Sequence, residues 1–193
     1  ARCAEAHEDA LAIDDEEARR ESCRFLYLEG EPGSGKSAVM LEAAIRAAKA
    51  GVVVSIVCPT GTLVHAFKAK LPEIDGIENI QIDTIHGLLK YKRPGADQKV
   101  EWSPPSGLRR IELYLVDEGS QYADLEWERF FKCVLEQPHR PFVLTAADFQ
   151  QLQPVALGQQ GQQEATQGGL CEQFTKCNQK VLLRAVYRTN DVE

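Results

Sequence analysis

A glycine-rich segment, GEPGSGKS (30–37), lies between two runs of different character. The run before it, FLYLEG (25–30), is short and apolar and predicts a strand. The run after it is rich in Ala, Leu and Glu as far as about Ala50 and predicts a helix. Gly33 and Gly35 let the connecting loop curl so that its backbone N–H groups point at an anion. The sequence therefore predicts a strand, a phosphate-binding loop and a helix in succession.

The spacing of this segment fits the pattern G-x-x-x-x-G-K-[ST] of nucleotide-binding loops. Lys36 is expected to place a positive charge at the β- and γ-phosphates, and the Ser37 hydroxyl is a predicted ligand of Mg²⁺. The helix that follows directs the positive end of its dipole at the same anion. We therefore predict a nucleoside triphosphate site with ATP and Mg²⁺ as cofactors. Its predicted binding residues are Gly30, Gly33, Ser34, Gly35, Lys36 and Ser37.

Strand-like and helix-like segments alternate along the chain. This alternation predicts an α/β fold, a P-loop NTPase with a parallel sheet and helices on both of its faces. Ligands of such sheets bind at the carboxyl ends of the strands, so functional residues should follow each strand. The predicted strands are 25–30, 52–58, 111–118, 141–147 and 181–187, and the predicted helices are 37–50, 62–71, a short one after Thr84, and 122–136. Residues 90–107 predict a loop or small hairpin, and 156–180 a mobile segment.

An acidic pair ends the apolar segment LYLVDE, the third of the predicted strands. A carboxylate at this position is where a P-loop protein holds its Mg²⁺, so Asp117 is predicted to share the metal with Ser37. Glu118 is then placed to polarise a water molecule toward the γ-phosphate as a general base. An acid pair here favours hydrolysis over phosphate transfer to a substrate. The pattern predicts an ATPase.

The stretch LTAADFQQLQPV (144–155) brings an acid and amides together after the fourth predicted strand. Asp148 and Gln151 are expected at the same edge of the sheet as the phosphate-binding loop. An amide there can hydrogen-bond the γ-phosphate or its attacking water and release it when the phosphate leaves. We interpret the pair as a nucleotide sensor. From the residues alone, a merely polar loop explains Gln150, Gln151 and Gln153 equally well.

Charge and cysteine content constrain the function only weakly. The net charge of −7 argues against a simple basic nucleic-acid-binding module. Residues 1–21, however, hold eight acids against three arginines, so most of that charge belongs to an acidic N-terminal segment (1–24). The six cysteines form no CxxC pair and are expected to be reduced thiols of an intracellular protein. No apolar run approaches the length of a membrane span, so we expect a soluble chain without a membrane partner.

Six segments, in this order, resemble the successive motifs of superfamily 1 DNA helicases, in particular those of the RecD-like and PIF-type branch. They are GEPGSGKS, CPTGTLVHAF, TIHGLL, LVDEGSQ, ADFQQLQPV and LRAVYRTND. The resemblance runs from about Phe25 to Asp191 and implies the first RecA-like domain of such a helicase, at 25–193. The chain begins at Ala1 without a Met, and we expect it to be a fragment that lacks the second RecA-like domain.

The resemblance implies roles for further residues. The D-x-x-Q element, Asp148 and Gln151 here, couples nucleotide state to nucleic acid in these helicases. The Thr-Gly of CPTG and the T-x-H of TIHGLL line their single-strand path, and the Arg of the final Y-R pair reaches the γ-phosphate. These motifs fall on Thr60, Gly61, Thr84, His86 and Arg188. From the residues alone, His86 is more often an ordinary histidine, and Arg188 more often pairs with a carboxylate.

Two positions depart from that family pattern. Ala147 stands where a Gly usually precedes the D-x-x-Q element. These helicases also carry an adenine-reading Gln upstream of the phosphate-binding loop, whereas the first Gln of this chain is Gln81. The selectivity for ATP over other triphosphates therefore stays open.

The resulting hypothesis is an ATP-dependent DNA helicase or translocase. Hydrolysis would drive movement along single-stranded DNA, from five-prime to three-prime as the resemblance implies, and the isolated fragment is expected to be weakly active. Two alternatives remain. One is a nucleotide-dependent switch or binding module without unwinding activity, and the other is an RNA helicase, since phosphate tracking and base stacking do not by themselves distinguish the sugars. The oligomeric state and the compartment stay open.

Overall fold

The computed structural model describes residues 25–90, 102, 105, 110–135, 137, 139, 141–148 and 179–183 of the chain. The strands are β1 (Phe25–Gly30), β2 (Val54–Cys58), β3 (Ile80–Thr84), β4 (Leu113–Val116), β5 (Phe142–Ala146) and β6 (Gln179–Leu183). The helices are α1 (Lys36–Lys49), α2 (Gly61–Lys70), α3 (Ile85–Leu88) and α4 (Asp124–Leu135), and single 3₁₀ turns occur at Ile77–Asn79 and Gly119–Gln121.

The six strands form one sheet in the order β3-β2-β4-β5-β1-β6, and every pair in it is parallel. β1 therefore lies between β5 and β6, two strands away from β4. The carboxyl ends of all six strands meet at one edge, so the residues after β1, β2, β4 and β5 are brought together there. The predicted parallel sheet is confirmed.

Two apolar clusters cover the two faces of this sheet. On one face, Met40 of α1 and Phe67 of α2 pack against strand residues such as Ile56. On the other face, α3 and α4 bury their apolar side chains. Trp127 of α4 is fully enclosed there, and the ring of Phe130, also in α4, packs edge-on against Tyr114 of β4. The prediction of helices on both faces is confirmed.

The first helix begins and ends as its sequence predicts. It starts directly after Gly35, which takes a left-handed conformation with φ of 88°. At the other end the Gly51 N–H donates to the Ala48 carbonyl, and Gly51 is also left-handed, with φ of 81°. A left-handed glycine after the last turn is a common way to end a helix, because glycine has no Cβ to clash.

The sequence prediction missed one strand. β3 (Ile80–Thr84) forms one edge of the sheet and pairs only with β2 among the described strands, and Ile82 is its single buried residue. So short and half-exposed a segment has no apolar run to mark it. The acid pair therefore follows the fourth strand rather than the third, and Asp148 follows the fifth.

Several predicted boundaries also need correction. The strand predicted over 52–58 begins at Val54, and the one predicted over 111–118 is limited to Leu113–Val116. The helix predicted over 122–136 begins at Asp124, after the 3₁₀ turn. The predicted insertion at 90–107, the predicted mobile segment at 156–180 and the end of the strand predicted at 181–187 lie almost entirely outside the described residues.

The described cysteines are buried, and the described helices are too short or too polar to cross a membrane. Of the cysteines in the described ranges, Cys58 and Cys133 are buried free thiols, and burial together with the nearby Asp117 and Asp83 raises the pKa of Cys58 to about 12. A thiol of so high a pKa is unreactive at neutral pH. None of the helices in the described part of the chain is both long and apolar enough to cross a membrane.

Candidate nucleotide and nucleic-acid site

The phosphate-binding loop has the backbone that its glycines predict. Gly33 and Gly35 are left-handed, with φ of 80° and 88°, a conformation that L-residues with a Cβ rarely adopt. The Lys36 ammonium lies over the loop and donates to the carbonyls of Gly30 at 2.7 Å and Glu31 at 3.2 Å. Its side chain is largely buried. The loop thus carries a single, enclosed positive charge, as required for a phosphate ligand.

A second loop residue is buried at the same place. Ser34 is almost inaccessible to solvent, and its hydroxyl has no hydrogen-bond partner among the described residues. A Cβ added to Gly30 would collide with that hydroxyl, so Gly30 and Ser34 are in close contact. Buried hydroxyls without a partner are costly, and a phosphate oxygen is one group that can satisfy them.

Ser37 and Asp117 meet across the sheet. The Ser37 hydroxyl donates to the Asp117 carboxylate, 3.1 Å from Oδ2 and 3.4 Å from Oδ1. The Asp117 backbone N–H donates to the Val57 carbonyl of β2 at 2.9 Å, which holds the acid at the end of β4. The two predicted metal ligands are therefore brought together, from the start of α1 and the end of β4.

The Asp117 carboxyl is nearly inaccessible, and this perturbs its acidity. Burial, followed by the charge of Glu118, raises the pKa of Asp117 to about 6 from an ordinary value of 3.8, against the lowering effect of the Ser37 hydrogen bond. A cation bound next to such a carboxyl would favour its ionised form and lower its pKa. The raised pKa is therefore compatible with a role of Asp117 as a metal ligand.

The same residues fit Mg²⁺. A hydroxyl and a carboxylate oxygen are hard ligands, and Mg²⁺ is usually held by one or two such protein groups while waters and phosphates fill its other positions. In the described ranges, no group of three or more His, Cys, Asp or Glu side chains is arranged to hold a metal. Ser37 and Asp117 thus supply a site of the open kind that Mg²⁺ takes beside a nucleotide.

Glu118 has a conformation unusual for its residue type. Its φ and ψ are 50° and 46°, in the left-handed region. Its Oε2 atom is buried and has no hydrogen-bond partner in the described part of the chain. Strained backbone that persists at a site is often part of a mechanism. Glu118 directly follows Asp117, the predicted metal ligand, and its predicted role as a base toward water stays a prediction.

The four residues of the predicted single-strand path lie at the ends of two neighbouring strands. Cys58 of β2 pairs in register with Thr84 of β3, so Thr60 and Thr84 follow adjacent strands. The hydroxyl of Thr60 accepts from the Leu63 N–H at 3.3 Å, and that of Thr84 from the Gly87 N–H at 3.0 Å.

Both threonine side chains thus act as N-caps, of α2 and of α3. Thr60 and Gly61 are exposed, while the His86 side chain is partly exposed and contacts Glu126. The structure brings the four residues to the edge that carries the phosphate-binding loop. Their predicted contact with nucleic acid stays a prediction.

Asp148 is buried at the same edge, directly after β5. The preceding Ala147 is held from the neighbouring strand, because the Tyr27 hydroxyl donates to the Ala147 carbonyl at 3.0 Å. Since β5 pairs with β1, the acid lies on the strand next to the one that leads into the phosphate-binding loop. Gln151 and Arg188, the other residues predicted to respond to the γ-phosphate, lie outside the described residues.

The sequence did not predict the two side chains that hydrogen-bond the segment between Glu118 and α4. Glu126 of α4 reaches back to the Ala123 N–H at 3.0 Å, and the Trp127 indole N–H donates to the Gly119 carbonyl at 3.0 Å. An acid three residues into a helix is a recognised partner of the N-cap N–H, so a signal for Glu126 was present. No pattern in the sequence indicated the hydrogen bond from Trp127 to Gly119.

A comparison with protein families decides the classification. Residues 16–191 match the family described as the AAA domain. The chain belongs to this family. No curated protein sequence matches this AAA domain.

Solved structures share the fold. Bacteroides sp. Pif1 in complex with ADP-AlF4 has 18% identity and a TM-score of 0.57 over 96% of this chain and 42% of its own. Pif1 helicases studied at forked double-stranded DNA have 18% identity and a TM-score of 0.59, over 97% of this chain and 44% of theirs. The arterivirus helicase nonstructural protein 10, solved with DNA, has 15% identity and a TM-score of 0.54, over 89% of this chain and 38% of its own.

These likenesses confirm the predicted fold of this AAA domain. It has the RecA-like arrangement of a P-loop NTPase, with a parallel sheet and flanking helices arranged as in these structures. The chain spans less than half of the length of each of these proteins.

Proposed function

We propose that this AAA domain is the first RecA-like domain of an ATP-dependent nucleic-acid helicase or translocase. The observation that carries the proposal is the contact between Ser37 and Asp117, beside the enclosed ammonium of Lys36. A hydroxyl, a carboxylate and an ammonium that converge at a glycine loop are the parts of an NTP-hydrolysing site. Nucleotide binding at this edge accounts for all three.

In this proposal each residue has one task. Backbone N–H groups of the loop, together with Lys36, bind the β- and γ-phosphates of ATP. Ser37 and Asp117 would hold Mg²⁺, which would neutralise charge on the phosphate oxygens. Glu118 accepts a proton from the water that attacks the γ-phosphate. Its Oε2 atom, buried and without a hydrogen-bond partner among the described residues, supports that assignment.

Coupling to nucleic acid is proposed for the same edge of the sheet. Asp148 and Gln151 are assigned the sensing of the γ-phosphate, and Arg188 a contact to it. Thr60, Gly61, Thr84 and His86 are assigned to the path of single-stranded DNA. Support for the last four comes from their position at neighbouring strand ends, and support for the whole comes from the fold shared with Pif1, solved with ADP-AlF4, and with a viral helicase solved with DNA.

The finer features belong to the proposal as well. We assign ATP as the nucleotide, single-stranded DNA as the track, movement from five-prime to three-prime, and an intracellular location. A translocase of this kind needs a second RecA-like domain, since stepping requires two domains that close on ATP and reopen after hydrolysis. The isolated domain is then expected to hydrolyse ATP slowly.

The test is the ATPase rate of the full-length protein with and without single-stranded DNA, with Mg²⁺ present. Lys36→Ala removes the ammonium from the phosphate-binding loop. Lys49→Ala is the matched control, because Lys49 is an exposed lysine at the opposite end of the same helix. We expect stimulation by DNA in the wild type and the control, and loss of turnover in Lys36→Ala.

Other outcomes separate the alternatives. Stimulation by single-stranded RNA but not by DNA identifies an RNA motor. A basal rate that responds to neither polymer identifies a nucleotide-dependent switch and overturns the motor proposal. Turnover retained in Lys36→Ala overturns the assignment of the nucleotide site itself.

A further inference from the structure

A chain of contacts leads from the predicted nucleic-acid path to the turn that carries Glu118. Its first link joins His86, at the start of α3, to Glu126 of α4, where the imidazole Nε2 contacts the carboxylate Oε1. The His86 side chain is partly exposed, whereas Glu126 is almost fully buried behind it. A group bound at the edge can therefore touch His86 without reaching Glu126.

The second link uses the other oxygen of the same carboxylate. Glu126 Oε2 accepts a hydrogen bond from the Ala123 N–H at 3.0 Å. Ala123 directly precedes α4, so Glu126 caps its own helix, as an acid at the third position of a helix commonly does. One buried side chain thus holds both His86 and the segment between Glu118 and α4.

The third link reaches the turn itself. The Trp127 indole N–H donates to the Gly119 carbonyl at 3.0 Å, and Gly119 is bonded directly to Glu118. Trp127 is fully buried and stacks on Phe131, with ring centroids 5.5 Å apart. The indole is therefore held firmly within α4. Because it is hydrogen-bonded to the Gly119 carbonyl, a shift of the start of α4 would also move that carbonyl.

The far side of the turn is fixed to β2. The Val57 carbonyl accepts both the Asp117 N–H at 2.9 Å and the Tyr122 hydroxyl at 3.2 Å. The residues between these two anchors include the left-handed Glu118. Among the described residues, the turn between these anchors is also connected with the exposed edge, through the Trp127–Gly119 hydrogen bond at the start of α4 and the contact of Glu126 with His86.

We propose that Glu126 is a positioning residue that transmits contact at His86 to the orientation of the Glu118 carboxylate. The inference rests on the proposed function, because it requires that nucleic acid approaches His86 and that Glu118 activates water. When a strand engages His86, the carboxylate of Glu126 loses or shifts its partner. The start of α4 then moves the Gly119 carbonyl and with it Glu118. This coupling is separate from the one assigned to Gln151.

The test compares Glu126→Gln with Glu128→Gln in the full-length protein. The glutamine amide keeps an oxygen for the Ala123 N–H but removes the negative charge that Glu126 places against His86. Glu128 lies on the same helix with an exposed side chain, which makes it the matched control. The readouts are kcat and the KM for ATP, each with and without single-stranded DNA, and the thermal midpoint of each variant.

We expect the DNA-stimulated kcat of Glu126→Gln to fall by between about 2-fold and about 30-fold, the range of coupling that one such position carries. The KM for ATP stays at the wild-type value, which a general loss of structure would not allow. Glu128→Gln behaves as the wild type. Trp127→Phe, which keeps the ring but removes the donor to Gly119, is expected to lose stimulation in the same way.

The outcomes distinguish the two claims. A wild type that is stimulated by DNA, with a Glu126→Gln variant that is stimulated equally, overturns this inference and leaves the proposed function in place. A wild type that responds to neither DNA nor RNA overturns both. If Glu126→Gln fails to fold, Trp127→Phe decides, and full stimulation of that variant overturns the inference.

Discussion

The Ser37 hydroxyl lies 3.1 Å from Oδ2 of Asp117, although 80 residues separate the two along the chain. Ser37 lies in the first turn of the helix after β1, and Asp117 follows β4, which is two strands away in the sheet. The contact places a nearly inaccessible carboxylate beside the largely buried Lys36, with Glu118 next to it in sequence.

The stability of the domain is expected to fall as Asp117 ionises. In the absence of metal and nucleotide the pKa of Asp117 is raised to about 6 from 3.8, mainly by burial. Below about pH 4 the group is protonated in both the folded and unfolded states and has no effect. Between about pH 4 and pH 6 the unfolded chain releases the proton more readily, so the free energy of unfolding decreases as pH rises.

Asp117→Asn cannot ionise, so it should be the more stable form at pH 7. A difference of about 2 in pKa corresponds to about 3 kcal/mol, which is an upper value for this gain. Urea unfolding of the wild type and the variant between about pH 4 and pH 8, with a chelator present, measures this gain in the free energy of unfolding. Asp75→Asn, at an exposed acid, is the control. A gain that does not change with pH would show that charge burial is not its cause.

Glu118→Gln should stop hydrolysis while nucleotide binding is retained. The amide keeps the shape of the side chain but cannot accept a proton, and loss of a general base typically costs about 10²- to 10⁴-fold in rate. Because the charge of Glu118 contributes to the raised pKa of Asp117, the variant also lowers that pKa. Single-turnover kinetics measures the loss of hydrolysis, and binding of a fluorescent ATP analogue measures the retained affinity for nucleotide. Lost nucleotide binding would mean that the base is misassigned.

Thr84→Ala should lower the free energy of unfolding by about 1 kcal/mol, because it removes the N-cap of α3. Thr84→Ser keeps a hydroxyl for the Gly87 N–H and should keep most of the stability. Chemical denaturation of the two variants measures the difference. Equal stabilities would indicate that the hydroxyl does not cap the helix in solution.

Gly76→Ala should destabilise the domain more than Gly51→Ala does. Both glycines are left-handed, with φ of 86° and 81°, so each substitution carries a backbone cost of about 1–2 kcal/mol. Only at Gly76 would the new Cβ also lie 2.6 Å from the Ala48 carbonyl oxygen, while at Gly51 it would meet nothing within 4 Å. Thermal melts of the pair compare the two costs, and the reverse order would contradict the packing of this turn on α1.

The local motifs were predictable because each depends on a few neighbouring residues. GEPGSGKS fixes its own backbone through Gly33 and Gly35, and the structure has both in the left-handed region. LYLVDE presents its acids at a strand end because four apolar residues before them must be buried. The two faces of the sheet followed as well, since strands that alternate with helices must be covered on both sides.

Other features were not predictable, because they depend on distant parts of the chain. β3 is a strand because it pairs with β2, and its own residues carry too little apolar signal. His86 lies at the edge of the sheet, directly after β3, but nothing in TIHGLL points to Glu126, 40 residues further on. The threonines of CPTG and TIHGLL cap two helices, a role that appears only once α2 and α3 are in place.

The sequence by itself determined the chemistry of this domain, which comprises a phosphate-binding loop, an acid pair and a set of parallel strands that end in polar residues. Short-range sterics and the burial of apolar runs are sufficient for that. The tertiary structure alone decided the strand order, and therefore which strand ends are neighbours. Through that order it set the burial that raises the pKa of Asp117, and it built the contacts that link His86 to Glu118. These properties arise from packing between distant segments, whose energies are not encoded at any single position.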